Sequence, residues 1–125
     1  MTRSFSLGAR IASFGYAFRG LAQLLATQHN AWIHAAATAL VCALGALFGI
    51  SAGEWIAIVL AIALVWSAEA MNTAFESLCD VVSPALHPSV RRAKDVAAGA
   101  VLLSAAGAAA VGLIVFTPRL ASLVR

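Results

Sequence analysis

The chain has 125 residues, of which 62% are hydrophobic and 10% charged, against about 45–50% and about 25% in an ordinary soluble domain, so a soluble globule is excluded. The net charge of +3 comes from scattered Lys and Arg rather than a basic stripe, which argues against a nucleic-acid partner and for a role in membrane orientation. The length fits one domain covering residues 1–125, and with roughly 20 apolar residues needed per span it leaves room for about four or five spans at most.

Leu7, Ile11, Phe14, Phe18, Leu21 and Leu25 recur at spacings of four and three, while Arg3, Ser6, Arg10, Ser13 and Arg19 lie beside or opposite them. One apolar stripe results, which predicts an amphipathic surface helix over about residues 4–26. Gly8, Gly15 and Gly20 weaken it as an isolated helix. This segment lacks the apolar run and small-residue cleavage site of a secretory leader.

A first span is predicted over about 31–50, where His34 is the single titratable side chain and Gly49 ends the run. A second runs over about 54–82, with no Pro before Pro84. The third, about 96–116, carries no charge and is expected to stop at Pro118; Ser83–Arg92, with Pro84 and Pro88, reads as the connecting loop. Cys42 and Cys79 lie in apolar helical surroundings without CxxC spacing and read as reduced core residues. Arg3, Arg10 and Arg19 precede the first span and Arg91, Arg92 and Lys94 lie between the second and third, so the N-terminus and the 83–95 loop are expected to be cytoplasmic. The expected fold is an all-α integral membrane protein: one surface helix and three transmembrane helices.

The second span carries the chemistry. At about 100° per residue, Glu69, Asn72, Glu76 and Asp80 fall at roughly 0°, −60°, −20° and +20°, so three carboxylates share one face. An acidic side chain near the centre of a span costs about 2.5–3.5 kcal/mol on insertion scales, and like charges one or two turns apart repel further, so a function is expected to maintain them. Counting about 1.5 Å per residue from Glu54, Glu69 lies about 22 Å and Glu76 about 33 Å along the axis. A base at the first depth reaches a lipid hydroxyl, and carboxylates nearer water offer oxygen ligands to a divalent metal. Lys94 supplies a point charge for phosphate, and Asp95 is expected to cap the start of the third span. His29, His34 and His87 are too dispersed for a zinc site, and His34 reads as an interfacial hydrogen-bonding residue. No Walker A or kinase-type glycine loop is present.

The run Glu69-Ala-Met-Asn-Thr-Ala-Phe-Glu76, then Asp80, His87 and Arg92-Ala-Lys94-Asp95-Val-Ala-Ala-Gly-Ala-Val resembles the prokaryotic diacylglycerol kinase family, which includes undecaprenol kinases. Ser13-Phe14-Gly15-Tyr16-Ala17-Phe18-Arg19-Gly20 is similar to the family's surface-helix segment, and Asn30-Ala-Trp-Ile-His34 to the start of its first span. The resemblance implies a homotrimer in the bacterial inner membrane that transfers the γ-phosphate of MgATP to a lipid alcohol, diacylglycerol in the first instance and undecaprenol as the alternative. It gives Glu69 the role of catalytic base and Glu76 that of a ligand to Mg²⁺, with Asn72 and Asp80 as supporting polar residues. Arg10, Tyr16, Gln28, Glu76, His87, Lys94 and Asp95 are implied at the ATP, and Arg10 with Glu69 at the lipid. The chain departs from the family at Gln28, where a metal-binding glutamate is usual, and at Ala85, where the family has an acid.

Physical reasoning also favours an oligomer, because three spans are not expected to surround an acidic helix face by themselves. Small residues such as Ala35-Ala36-Ala37, Gly45, Ala105-Ala106-Gly107 and Gly112 permit close helix contact. A proton- or cation-coupled transporter is the reading of another class. It is disfavoured because the ionisable groups of the spans lie in the cytoplasmic half apart from Glu54, and no inverted repeat is visible.

Overall fold

A computed structural model of the chain describes residues 6–85 and 87–124. Their regular structure is helical throughout: α1 (Leu7–Thr27), α2 (His29–Phe48), α3 (Ala52–Val82) and α4 (Pro88–Leu123). The last three are long and apolar enough to cross a membrane. Arg3, which entered the charge pattern, and the first residues of the predicted surface helix lie outside the described residues.

Local chemistry sets the helix ends. Ser6 accepts from the Ala9 amide at the start of α1, satisfying one of the donors that a helix start leaves unpaired. Helix α2 ends at Gly49, whose φ of 58° is left-handed, with the Gly49 and Ile50 amides bonded to the Ala46 and Gly45 carbonyls. That closure favours glycine because it lacks a Cβ. Two residues later Ser51 opens α3 in a capping box: its hydroxyl accepts from the Glu54 amide, and Glu54 accepts from the Ser51 amide at 2.8 Å.

Three expectations need correction at α4. The helix begins at Pro88, so the loop is shorter than Ser83–Arg92. Proline fits a first turn, where its missing N–H costs no intrahelical bond, and His87 caps the helix by accepting from the Ser89 amide at 3.2 Å. Asp95 therefore sits two turns inside the helix and caps nothing. At the far end the helix continues through Pro118 to Leu123. There Arg119 donates to the Val115 carbonyl at 2.6 Å and pairs bidentately with Glu54 at 2.8 and 2.9 Å, tying this last stretch to the start of α3.

Helices α3 and α4 form the most extensive contact in the chain. Ile50, Ile58, Val115 and Phe116 make its core, with Val41, Leu44, Phe48, Trp55, Ile62 and Val111 packed around them. Helix α2 approaches closely at Gly45, where a Cβ would lie 2.7 Å from the Trp55 ring, so a glycine there permits the contact. One turn short of Glu69, the Trp66 indole donates to Thr38 at 3.1 Å and joins α3 to α2. Leu40, Leu47, Ile56, Leu60, Leu64, Leu103, Leu113 and Ile114 point outward, an arrangement that suits hydrocarbon, where no penalty attaches to apolar surface. Cys79 is buried as expected, but Cys42 lies on the outer face of α2 and is not a core residue.

Candidate active site on helix α3

The acidic face of α3 grades from buried to open toward its C-terminal end. Glu69 is 1% exposed, Asn72 and Glu76 are half-buried and Asp80 is exposed. Three spans alone do not surround the acidic face, since Glu76 stays half-open and Asp80 exposed, but a single chain does enclose Glu69. Small residues explain this: α4 presents Ala98, Val101 and Ala105 across from Glu69, and they allow the helices to close around a carboxylate.

Glu69 lines a cleft of about 270 Å³ together with Asn30, Ile33, His34, Asn72, Ala98, Val101, Leu102 and Ala105. Its Oε2 lies 3.7 Å from Nε2 of His34, beyond hydrogen-bond length. Both atoms are buried without a hydrogen-bond partner among the described residues, as are Oδ1 of Asn72 and Oγ1 of Thr73. Buried polar atoms are normally paired, and leaving one unpaired costs about 1–3 kcal/mol. Three of these residues, His34 of α2 and Glu69 and Asn72 of α3, line this one cleft, which marks a place built to meet a polar ligand rather than a packed core. Sequence reasoning missed Asn30, His34 and Thr73. The signal was present for the first two: Asn30, His34 and Thr38 recur every four residues, a polar stripe on an otherwise apolar span.

Asp80 binds Lys94 at 2.9 Å across the α3–α4 junction. Lys94 precedes the apolar run 96–116, and its hydrogen bond to Asp80 raises its ammonium above the ordinary lysine range, with Glu76 adding a weaker attraction. The cation is therefore fixed beside the open end of the acidic face, in its charged form.

Gln28 is half-buried at the junction of α1 and α2. It lines a second cleft, between α1 and α3, with Gln23, Thr27, Thr73 and Ser77 among its walls. Its side-chain amide donates to Thr27 at 3.4 Å. Arg10 and Tyr16 are exposed on α1, with the Arg19 guanidinium 4.8 Å above the Tyr16 ring. His87, at the cap of α4, and Asp95, two turns into that helix, are exposed. The structure thus gathers Glu69 with Asn72, and Asp80 with Lys94, but does not draw Arg10, Tyr16, Gln28, His87 and Asp95 into the Glu69 cleft. Among the described residues no group of three or more His, Cys, Asp or Glu converges to hold a metal ion. A protein-built cage does not fit these residues; a cation carried by phosphates and touched by the Glu76 carboxylate does, since Mg²⁺ keeps several waters and commonly takes one or two carboxylates.

Comparison with known proteins places the chain in a family. Undecaprenol kinase of Bacillus subtilis (strain 168) is 40% identical over 108 residues, which cover 86% of this chain and 88% of that protein. Diacylglycerol kinase of Synechocystis sp. (strain ATCC 27184 / PCC 6803 / Kazusa) is 39% identical over 114 residues, covering 90% of this chain and 65% of that one. No solved structure matches the chain. The model of the family described as prokaryotic diacylglycerol kinase matches residues 15–116; with most of the chain accounted for and the acidic face of α3 inside the match, the chain belongs to the prokaryotic diacylglycerol kinase family.

Proposed function

We propose that the chain is a lipid kinase, transferring the γ-phosphate of MgATP to the hydroxyl of a membrane lipid at the cytoplasmic face of a bacterial inner membrane. The observation that carries this reading is Glu69, a carboxylate enclosed by α2, α3 and α4 whose Oε2 meets no hydrogen-bond donor among the described residues. A general base must be ready to take a proton, and a buried unpaired carboxylate oxygen is in that condition.

In the reaction Glu69 accepts the hydroxyl proton as the lipid oxygen bonds to the γ-phosphorus and the bond to ADP breaks. Phosphoryl transfer depends on position and charge neutralisation more than on covalent chemistry. Asn72, one turn from Glu69, orients the acceptor. Lys94, held by Asp80, offsets phosphate charge, and Glu76 with the side-chain carbonyl oxygen of Gln28 would supply oxygen ligands to a Mg²⁺ arriving with the nucleotide. Arg10, Tyr16, His87 and Asp95 complete the nucleotide contacts, Arg10 also facing the lipid headgroup. Their dispersal in one chain fits an oligomer in which neighbouring copies close the nucleotide site, and the family resemblance implies that it is a homotrimer. Helix α1, apolar along one stripe and exposed along its length but for Leu24, fits a helix lying in the interface.

The test offers labelled ATP to purified protein in mixed micelles with diacylglycerol and, separately, undecaprenol. Label entering either lipid supports the kinase reading and names the acceptor; label in neither, with proton flux through reconstituted vesicles, replaces it with the transporter. Orientation is read by labelling single cysteines on a Cys-free background: Ser89→Cys from the cytoplasmic side and Ala52→Cys from the opposite one. The reverse pattern overturns the assignment of sides.

A further inference from the structure

We propose that His34 is a positioning residue which takes from Glu69 the proton of each turnover and releases it to water. The inference rests on the kinase reading and adds a second residue to its base.

A base enclosed at 1% exposure has a difficulty that an open one escapes. Once protonated it must lose that proton before the next cycle, and solvent does not reach it. His34 supplies a route. Its Nε2 lies 3.7 Å from Oε2 of Glu69, so a shift of under about 1 Å brings the two into hydrogen-bond range. The His34 side chain is 15% exposed against 2% for that of Glu69, and since its Nε2 is itself buried beside Oε2 the exposed part of the side chain lies away from the carboxylate. An imidazole suits the task chemically, because one ring nitrogen can accept a proton while the other gives one up.

The ring is held for this work. Trp66 meets it edge-on with ring centroids 6.4 Å apart, and Trp66 is itself fixed by its 3.1 Å hydrogen bond to Thr38, one turn beyond His34 on α2. Among the residues lining the cleft, α3 presents Glu69 as its titratable group along with neutral Asn72, and α4 presents the apolar Ala98, Val101, Leu102 and Ala105. From α2 itself come Asn30 and Ile33, both uncharged. No rival acid or base in this lining competes for the Glu69 proton. The proton balance is simple: the lipid hydroxyl gives its proton to the Glu69 carboxylate, the resulting carboxylic acid gives it to Nε2 of His34, and the imidazolium gives it to water. Glu69 is returned as the carboxylate.

The test compares H34A and H34Q with the unmodified protein in the mixed-micelle assay, with and without added imidazole. H34A should lower kcat about a hundredfold, at the lower end of what a positioned proton acceptor contributes, with KM for MgATP within about twofold. Imidazole should restore kcat in proportion to its free-base concentration across a pH series, entering the space the side chain vacated. H34Q keeps size and hydrogen bonding but carries no proton, so it should remain slow and should show no rescue. Recovery of full kcat in H34Q reduces His34 to a structural partner and overturns the proposal. So does an H34A protein that binds MgATP normally and turns over at the original rate, or one that imidazole leaves unchanged. If the unmodified protein phosphorylates neither lipid, the kinase reading and the relay fall together; if it is active and the His34 variants match it, the relay alone is overturned.

Discussion

Two carboxylates on α3, about 22 Å apart along the axis, are in opposite circumstances. Glu54 accepts from the Ser51 amide and from both terminal nitrogens of Arg119, every bond at 2.8–2.9 Å. Glu69 is more deeply buried and its Oε2 has no hydrogen-bond partner among the described residues. The partnered acid is a fastener: it caps one helix and holds the last stretch of another. The unpartnered one carries a cost that folding does not recover, which is the mark of a group kept for chemistry. The packing around them differs in the same sense. Near Glu54 lies the core of Ile50, Ile58, Val115 and Phe116, whereas Glu69 lies buried in the wall of a cleft that it shares with His34, Asn30 and Asn72.

That contrast breaks most sharply at Glu69. Glu69→Gln keeps the shape and removes the proton affinity, so turnover should fall at least about a hundredfold while MgATP still binds. The thermal midpoint should hold or rise, since a neutral amide is cheaper to bury than a carboxylate. An undiminished rate of lipid phosphorylation ends the assignment of the base.

A smaller effect is expected at Gln28, near the acidic face but outside the Glu69 cleft. Gln28→Glu should lower the Mg²⁺ concentration for half-maximal activity several-fold, because a second carboxylate joins Glu76 near the cation. Glu76→Gln should nearly abolish activity and its Mg²⁺ dependence together. An unchanged titration in Gln28→Glu, or an inactive protein, removes position 28 from the metal shell.

The smallest effect on activity is expected at the fastener. Glu54→Gln retains a side chain able to complete the capping box but loses the ion pair, and Arg119→Ala loses both the pair and the bond to the Val115 carbonyl. Both should leave kcat within about twofold, the sequence distance to Glu69 being about four turns. The thermal midpoint in detergent should fall by a few degrees, more for Arg119→Ala. A large loss of kcat with intact stability in either variant would couple the two ends of α3 and erase the distinction.

The sequence by itself determined the helical class, the three apolar spans and the shared face of Glu69, Asn72, Glu76 and Asp80. These depend on composition and on the 3.6-residue period, which are local properties. Gly49 was legible as a break because a helix end is also a local property. The end of α4 was not: Pro118 reads as a stop until Arg119 is seen to reach Glu54, a partner 65 positions away. Nor did the sequence decide which acid on the shared face is enclosed, because that depends on where the small residues Ala98 and Ala105 of α4 pass. His34 looked like one more interfacial residue until α2 and α3 were brought together by Gly45 against Trp55 and by Thr38 against Trp66. Which residues share a helix face follows from the chain's own period, but which polar atoms meet across helices follows from how closely the backbones approach, and only the tertiary structure decides that.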